Sequence, residues 1–297
     1  MSFSLAFRLA AILALVAVLL PAQALAVHFR RPLAARLPVF FHCCLLRLLR
    51  IRITSLGEVP KAGDPALILS NHVSWLDIPV LASLAPLSFI AKSEVAGWPL
   101  VGLLAKLQRC VFVERSRKAA TGEVNAVVAR RLGAGDAMVL FPEGTTGDGI
   151  RLLPFRSSLV GAARTALLSH EVETIDLRPV AIAYRRRRGL PFTRREMPAV
   201  AWYGDMDLAP HLAALVRGGP IDVTVVWGEP VRFDRSVDRK EATARAEGIV
   251  RRGLETAKRD GHVTLAREST RNCPHPVIFS SHPGRTSASA KNESASP

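Results

Sequence analysis

Apolar and polar positions divide the chain into three parts. Residues 9–27, LAAILALVAVLLPAQALAV, are almost uninterruptedly apolar. At about 1.5 Å of helical rise per residue, such a run matches a bilayer core of roughly 30 Å. It ends in AQALA, whose small residues also suit a signal-peptidase site, so a cleaved leader is the competing reading. The next stretch, 37–53 (LPVFFHCCLLRLLRIRI), places Arg47, Arg50 and Arg52 among leucines and phenylalanines. It reads either as a helix lying in the membrane interface or as an amphipathic helix packed on a domain.

From there the period changes. Short apolar runs at 66–70, 87–91, 110–114, 137–141, 178–184 and 221–228 read as strands. They alternate with helical patterns near 75–84, 98–107, 122–133, 157–169 and 238–259. Strands alternating with helices predict an α/β fold, a mixed sheet flanked by helices behind an N-terminal membrane helix region. The expected organisation is membrane-anchoring helices over 1–50, a catalytic α/β domain over 51–262 and a disordered tail over 263–297. That tail is rich in Ser, Pro, His and Asn.

Charge adds an orientation and a class of partner. Arg8 precedes the apolar run, while Arg30, Arg31 and Arg36 follow it closely. Positive charge is retained on the cytoplasmic side, so the expected location is the inner (cytoplasmic) membrane with the bulk of the chain facing the cytoplasm. The net charge of +15 and a run of arginines at 185–195 (RRRRGLPFTRR) point to anionic partners. No zinc-finger, RNP-type or helix-turn-helix signature is present, so nucleic acid is not an expected partner. The four cysteines and eight histidines show no metal-ligand spacing.

Two loops carry candidate chemistry. In the first, the strand at 66–70 runs into Asn71-His72-Val73-Ser74-Trp75-Leu76-Asp77. Ser74 is the expected N-cap of a helix, with His72 on the turn before it and Asp77 one turn inside. On a continuous helix residues five apart lie about 140° from each other, so contact needs a turn between them. A histidine so placed can remove a proton from a weakly nucleophilic alcohol, with a carboxylate on its other ring nitrogen fixing the tautomer; the competing reading of these two residues alone is a turn histidine hydrogen-bonded to backbone. In the second loop, the strand at 137–141 leads into Pro142-Glu143-Gly144-Thr145-Thr146-Gly147-Asp148-Gly149. A Gly-rich turn at a strand's C-terminal end is where α/β sheets hold ligands. Gly144 allows backbone amides to approach one closely, and Glu143 could accept from a substrate hydroxyl; the competing reading of this loop alone is a plain turn with an exposed acid.

Taken together these blocks resemble the 1-acylglycerol-3-phosphate acyltransferase family. NHVSWLD at 71–77 matches that family's NHxxxxD element, Phe112–Arg115 its F-x-x-R element, Phe141–Thr145 its FPEGT element, and LRPVAI at 177–182 its later element. AKSEVAGWPLVG (91–102) resembles its connecting segment, and the likeness covers roughly residues 50–230. It implies an acyltransferase with His72 as general base and Asp77 as its partner. The implied substrate-binding set is Asn71, Lys92, Arg115, Glu143, Gly144, Thr145 and Asp148. The donor would be acyl carrier protein or coenzyme A thioester, with no resident cofactor and no metal. The implied partners are acyl carrier protein, a lyso-lipid acceptor and membrane lipids.

One departure narrows the acceptor. Phosphate-selective members usually carry Arg directly after FPEGT, whereas this chain has Thr146, which cannot form a bidentate phosphate contact. FPEGTTGDG, LPFRSSLVGAA (153–163) and WYGDMDLAPHL (202–212) are more similar to the lyso-ornithine lipid acyltransferase subgroup. Its acceptor carries a hydroxyl on an amide-linked acyl chain, together with a carboxylate and an amine. Arg115 would then meet the carboxylate and Asp148 the amine. The alternatives are a lysophosphatidic acid acyltransferase forming phosphatidic acid and, remotely, a catalytically silent lipid- or carrier-binding protein. A His-Asp hydrolase is disfavoured, since no G-x-S-x-G element occurs.

Overall fold

The structure, a computed structural model, describes residues 3–61, 64–113, 118–169 and 172–259. Arg115 and the expected tail at 263–297 lie outside the described residues. Helix α1 (Phe3–His28) and helix α2 (Leu33–Leu49) come first. The segment Leu5–His28 is the one helix among the described residues long and apolar enough to cross a membrane. It does not stand away from the rest. Arg8 donates to the Val216 carbonyl at 3.3 Å, and Gln23 Nε2 donates to the carbonyls of Ala34 (3.0 Å) and Leu107 (2.9 Å). Contacts near both ends of a helix about 39 Å long tie one side of it to the protein. Phe7, Leu13, Val18 and Leu25 are left exposed on the rest of it.

Helix α2 buries His42, Cys43, Leu46 and Leu49 against the domain. Of the two readings of 37–53, packing on the domain therefore describes this face. The helix stops at Arg50, whose left-handed φ of +59° reverses the chain. Arg50 hands directly to strand β1 (Ile51–Leu56), which the sequence pattern merges into the helix.

The remaining elements follow the predicted alternation: β2 (Ala66–Ser70), α3 (Asp77–Ala82), β3 (Ser88–Lys92), α4 (Val101–Leu107), β4 (Val111–Val113), α5 (Lys118–Gly133) and β5 (Ala137–Leu140). Then come α6 (Gly161–Leu168), β6 (Ile175–Arg187), β7 (Leu190–Pro191), α7 (Leu208–Gly218), β8 (Ile221–Trp227), β9 (Val231–Phe233) and α8 (Arg239–Arg259), of which β7, α7 and β9 lie where the sequence pattern predicts no element. The strand order is β1-β8-β6-β2-β5-β3-β4, with β7 and β9 also on β6. β2 pairs in parallel with β5 and β6, whereas β6 meets β8, β7 and β9 antiparallel, so the sheet is mixed as predicted.

Strand alternation sorts the core into two layers. Ile68, Val139, Val180 and Ile182 face the side covered by α2 and α3. Leu67, Leu69, Met138, Leu140 and Ala181 face the side covered by α5, α6 and α8. The loops after β2 and β5 leave the same end of two neighbouring parallel strands. That register is what brings the two motif loops together.

Candidate active site

His72 leaves the end of β2 and faces back toward the helix that follows. Its Nδ1 lies 2.8 Å from Asp77 Oδ2. The same oxygen accepts the backbone N–H groups of Val73 (2.7 Å) and Ser74 (2.9 Å), while the Tyr184 hydroxyl donates to Oδ1 at 2.7 Å. Asp77 is completely buried, and the His72 side chain is 18% exposed. A fully buried carboxylate facing four donors accepts, so His72 carries its proton on Nδ1 and leaves Nε2 as the basic nitrogen. Burial and the adjacent Asp77 carboxylate push the Tyr184 phenol well above its usual range, keeping it a donor.

The helix does not begin where the sequence suggests. Ser74 is not the N-cap, and Asp77 is the first residue of α3 rather than one turn inside it. The reason is local: residues 73 and 74 aim their amides at the Asp77 carboxylate, which holds the 72–76 turn open. That turn supplies the bend a five-residue separation needs.

The second loop holds the first in place. Glu143 Oε1 accepts the His72 N–H at 2.9 Å, and Oε2 accepts the Leu153 N–H at 3.3 Å. The Gly147 N–H donates to the His72 carbonyl at 2.8 Å. Phe141 stacks on the imidazole, with ring centroids 3.9 Å apart and planes 12° apart. Asn71 staples the loop to β6: its Nδ2 donates to the Ile182 carbonyl (3.0 Å) and its Oδ1 accepts the Ile182 N–H (2.8 Å). Glu143 and Asn71 thus spend hydrogen bonds on the scaffold of His72, though both also line the cavity in front of it. That cavity measures about 390 Å³.

The other expected site residues divide. Gly144 takes the positive φ, +79°, that its turn requires, and Thr145 is exposed beside it. Asp148 closes its own turn, its Oδ1 accepting the N–H groups of Ile150 (2.8 Å) and Arg151 (3.2 Å), and it is not on the cavity wall. Lys92 sits exposed at the end of β3, paired with Glu94 at 2.6 Å, and is also off that wall. Two participants were missed from the sequence, Tyr184 and the ring of Phe141. The alternation that puts Ile182 on the α3 side also puts Tyr184 there, which was the available signal.

Burial pushes the Glu143 carboxyl up to about 7 from its ordinary 4.5, partly opposed by the His72 and Leu153 amides. The native state therefore binds a proton that the unfolded chain has already released between these values. Stability from this group is full below pH 4.5 and falls as the pH rises toward 7, by on the order of 3 kcal/mol. Glu143→Gln should flatten that part of the decline. Urea unfolding of both proteins between pH 4.5 and 7 checks it, and parallel curves would count against it.

A family model described as acyltransferase matches residues 50–183. That segment holds both motif loops and ends one position short of Tyr184. The chain is 47% identical over 248 residues to the lyso-ornithine lipid O-acyltransferase of Brucella abortus (strain 2308), covering 84% of this chain and 92% of that one. The chain belongs to the acyltransferase family. A second relative of the same name, from Rhizobium meliloti (strain 1021), is 44% identical over 76% of this chain and 77% of its own length. The 1-acyl-sn-glycerol-3-phosphate acyltransferase of Neisseria gonorrhoeae is 36% identical over 35% of this chain and 41% of that protein. The solved 1-acyl-sn-glycerophosphate acyltransferase PlsC from Thermotoga maritima shares the fold, with a TM-score of 0.55 at 22% identity, covering 75% of this chain and 79% of that one. This acyltransferase is an O-acyltransferase of lipid metabolism, and its apolar α1 is consistent with membrane association.

Proposed function

We propose that the enzyme transfers a fatty acyl group from an acyl carrier protein or coenzyme A thioester to the hydroxyl of lyso-ornithine lipid, forming ornithine lipid. The observation that carries the chemistry is the His72–Asp77 contact of 2.8 Å at the wall of an open cavity. His72 Nε2 takes the proton as the lipid oxygen attacks the thioester carbonyl. The tetrahedral intermediate collapses, the C–S bond breaks, and the departing thiolate recovers the proton from the imidazolium. Asp77, fixed by its three other donors, stabilises that imidazolium. No resident cofactor is needed, because the thioester supplies the activated acyl group.

The acceptor reading is supported by relatives whose names specify lyso-ornithine lipid, at 33% to 47% identity. It is also supported by Thr146, which stands where a phosphate-binding arginine is expected. Arg115 is assigned to an anionic group of the acceptor. The net charge of +15 suits an acidic carrier protein and an anionic lipid surface. The arginines after α1 favour the inner membrane with the catalytic domain on the cytoplasmic side. Lysophosphatidic acid is the second acceptor to test, because relatives named for 1-acyl-sn-glycerol-3-phosphate also match.

The deciding experiment gives the purified enzyme labelled acyl carrier protein with each acceptor separately. Ornithine lipid should form at least about tenfold faster than phosphatidic acid, a margin of about 1.4 kcal/mol. Formation of phosphatidic acid alone would reject the assignment.

A further inference from the structure

The cavity in front of His72 carries more positive charge than proton transfer to a histidine requires. Among the described residues its wall includes Arg151, Arg185, Arg186, Arg194 and Lys258. The single acid among the described residues of that wall, Glu143, is buried and engaged by two backbone amides. The cations come from three separate parts of the chain: the turn after β5, the end of β6 with its following hairpin, and the last turn of α8. Arg185 donates to the Lys258 carbonyl at 3.0 Å, which joins two of these parts.

A register shift between Tyr184 and Arg186 marks a bulge at the end of β6. A bulge re-aims side chains beside a site. Here one strand end serves Asp77 through Tyr184 and the cavity wall through Arg185 and Arg186. Like charges repel, so an ammonium group gains nothing by entering a cavity walled by these cations, whereas a carboxylate does. Asp148, the acid expected to meet the amine, is turned onto its own loop and is off the wall.

We propose that these wall cations, and not Arg115 alone, seat the carboxylate of the acceptor, and that the acceptor's amine makes no ion pair in the site. The acceptor class is then the N-acylated α-amino acids that bear a free hydroxyl on the acyl chain, with ornithine as one member. The inference rests on the acceptor reading given above and narrows what that reading recognises.

The test uses the full-length purified enzyme with labelled acyl carrier protein and four acceptors. These are lyso-ornithine lipid, its δ-N-acetyl derivative, its α-carboxyl methyl ester, and lysophosphatidic acid. The N-acetyl lipid should keep kcat/KM within about threefold of the parent, and the ester should lose at least about tenfold. The double substitution Arg194→Gln, Lys258→Gln should raise KM about tenfold for the parent and the N-acetyl lipid, and leave the ester unchanged. Unchanged ester turnover also reports that the variant is folded. A loss of about tenfold on acetylating the amine overturns this proposal alone. Lysophosphatidic acid used as well as the parent identifies a general anion site and overturns the carboxylate assignment. No transfer to the parent by the wild-type enzyme overturns the acceptor reading itself, and this proposal with it.

Discussion

Asp77→Asn should lower the acyl-transfer rate by about 10²- to 10⁴-fold and destabilise the fold as well. Asp77 accepts from four groups: His72 Nδ1, the amides of Val73 and Ser74, and the Tyr184 hydroxyl. An asparagine offers one acceptor oxygen and an NH2 group that is itself a donor. Whichever way the amide is placed, at least one buried donor loses its acceptor: the Tyr184 hydroxyl in one placement, the Val73 and Ser74 amides in the other. Leaving a buried polar group unsatisfied costs about 1–3 kcal/mol. If Tyr184 meets the NH2, the histidine keeps its tautomer but loses the charge that stabilises the imidazolium. If His72 meets it, the tautomer inverts and Nε2 becomes a donor, useless as a base. Steady-state transfer and urea unfolding on the same preparation check the two effects together. A variant as stable and as active as the wild type would contradict this account of the site.

His72→Ala should reduce transfer at least as far while sparing the fold. The imidazole is partly exposed, and removing it leaves Asp77 with three of its four donors. The backbone N–H and carbonyl of residue 72 still meet Glu143 and Gly147. The main structural loss is the ring stacked on Phe141. The expected pattern is therefore a rate loss of about 10²-fold or more with the unfolding midpoint little changed. Retention in the membrane fraction should also be unchanged, because α1 lies in a separate part of the chain. Comparable losses of stability in both variants would mean that His72 is chiefly a structural residue.

The contrast between these two substitutions rests on the buried donors of Asp77, only part of which is legible in the sequence. The strands were readable because β2 and β5 bury both faces, so each appears as an unbroken apolar run, as Leu67, Ile68 and Leu69 illustrate. The His72–Asp77 pair was readable because both members lie in one short motif between β2 and the start of α3. Tyr184 was not, since it is 107 positions from Asp77 and only the pairing of β2 with β6 brings it near. Glu143 is legible as a member of its loop, but its work on the scaffold is not. Its hydrogen bonds to His72 and Leu153 depend on β2 and β5 being neighbours, which composition does not reveal. The start of β1 was hidden because Arg47, Arg50 and Arg52 continue one basic pattern across the reversal at Arg50. Helix α7 (Leu208–Gly218) is short, with Pro210 in its first turn and Gly218 at its end, which blurs its helical pattern.

The decisive step of the proposed reaction is proton transfer from the acceptor alcohol to His72. Its most direct measurement compares wild type and His72→Ala on acceptors whose hydroxyl is made progressively more acidic by fluorine placed beside the carbinol carbon. A more acidic alcohol depends less on a general base, so the ratio of wild-type to variant rates should shrink steadily along that series. A ratio that stays constant along it would contradict the claim.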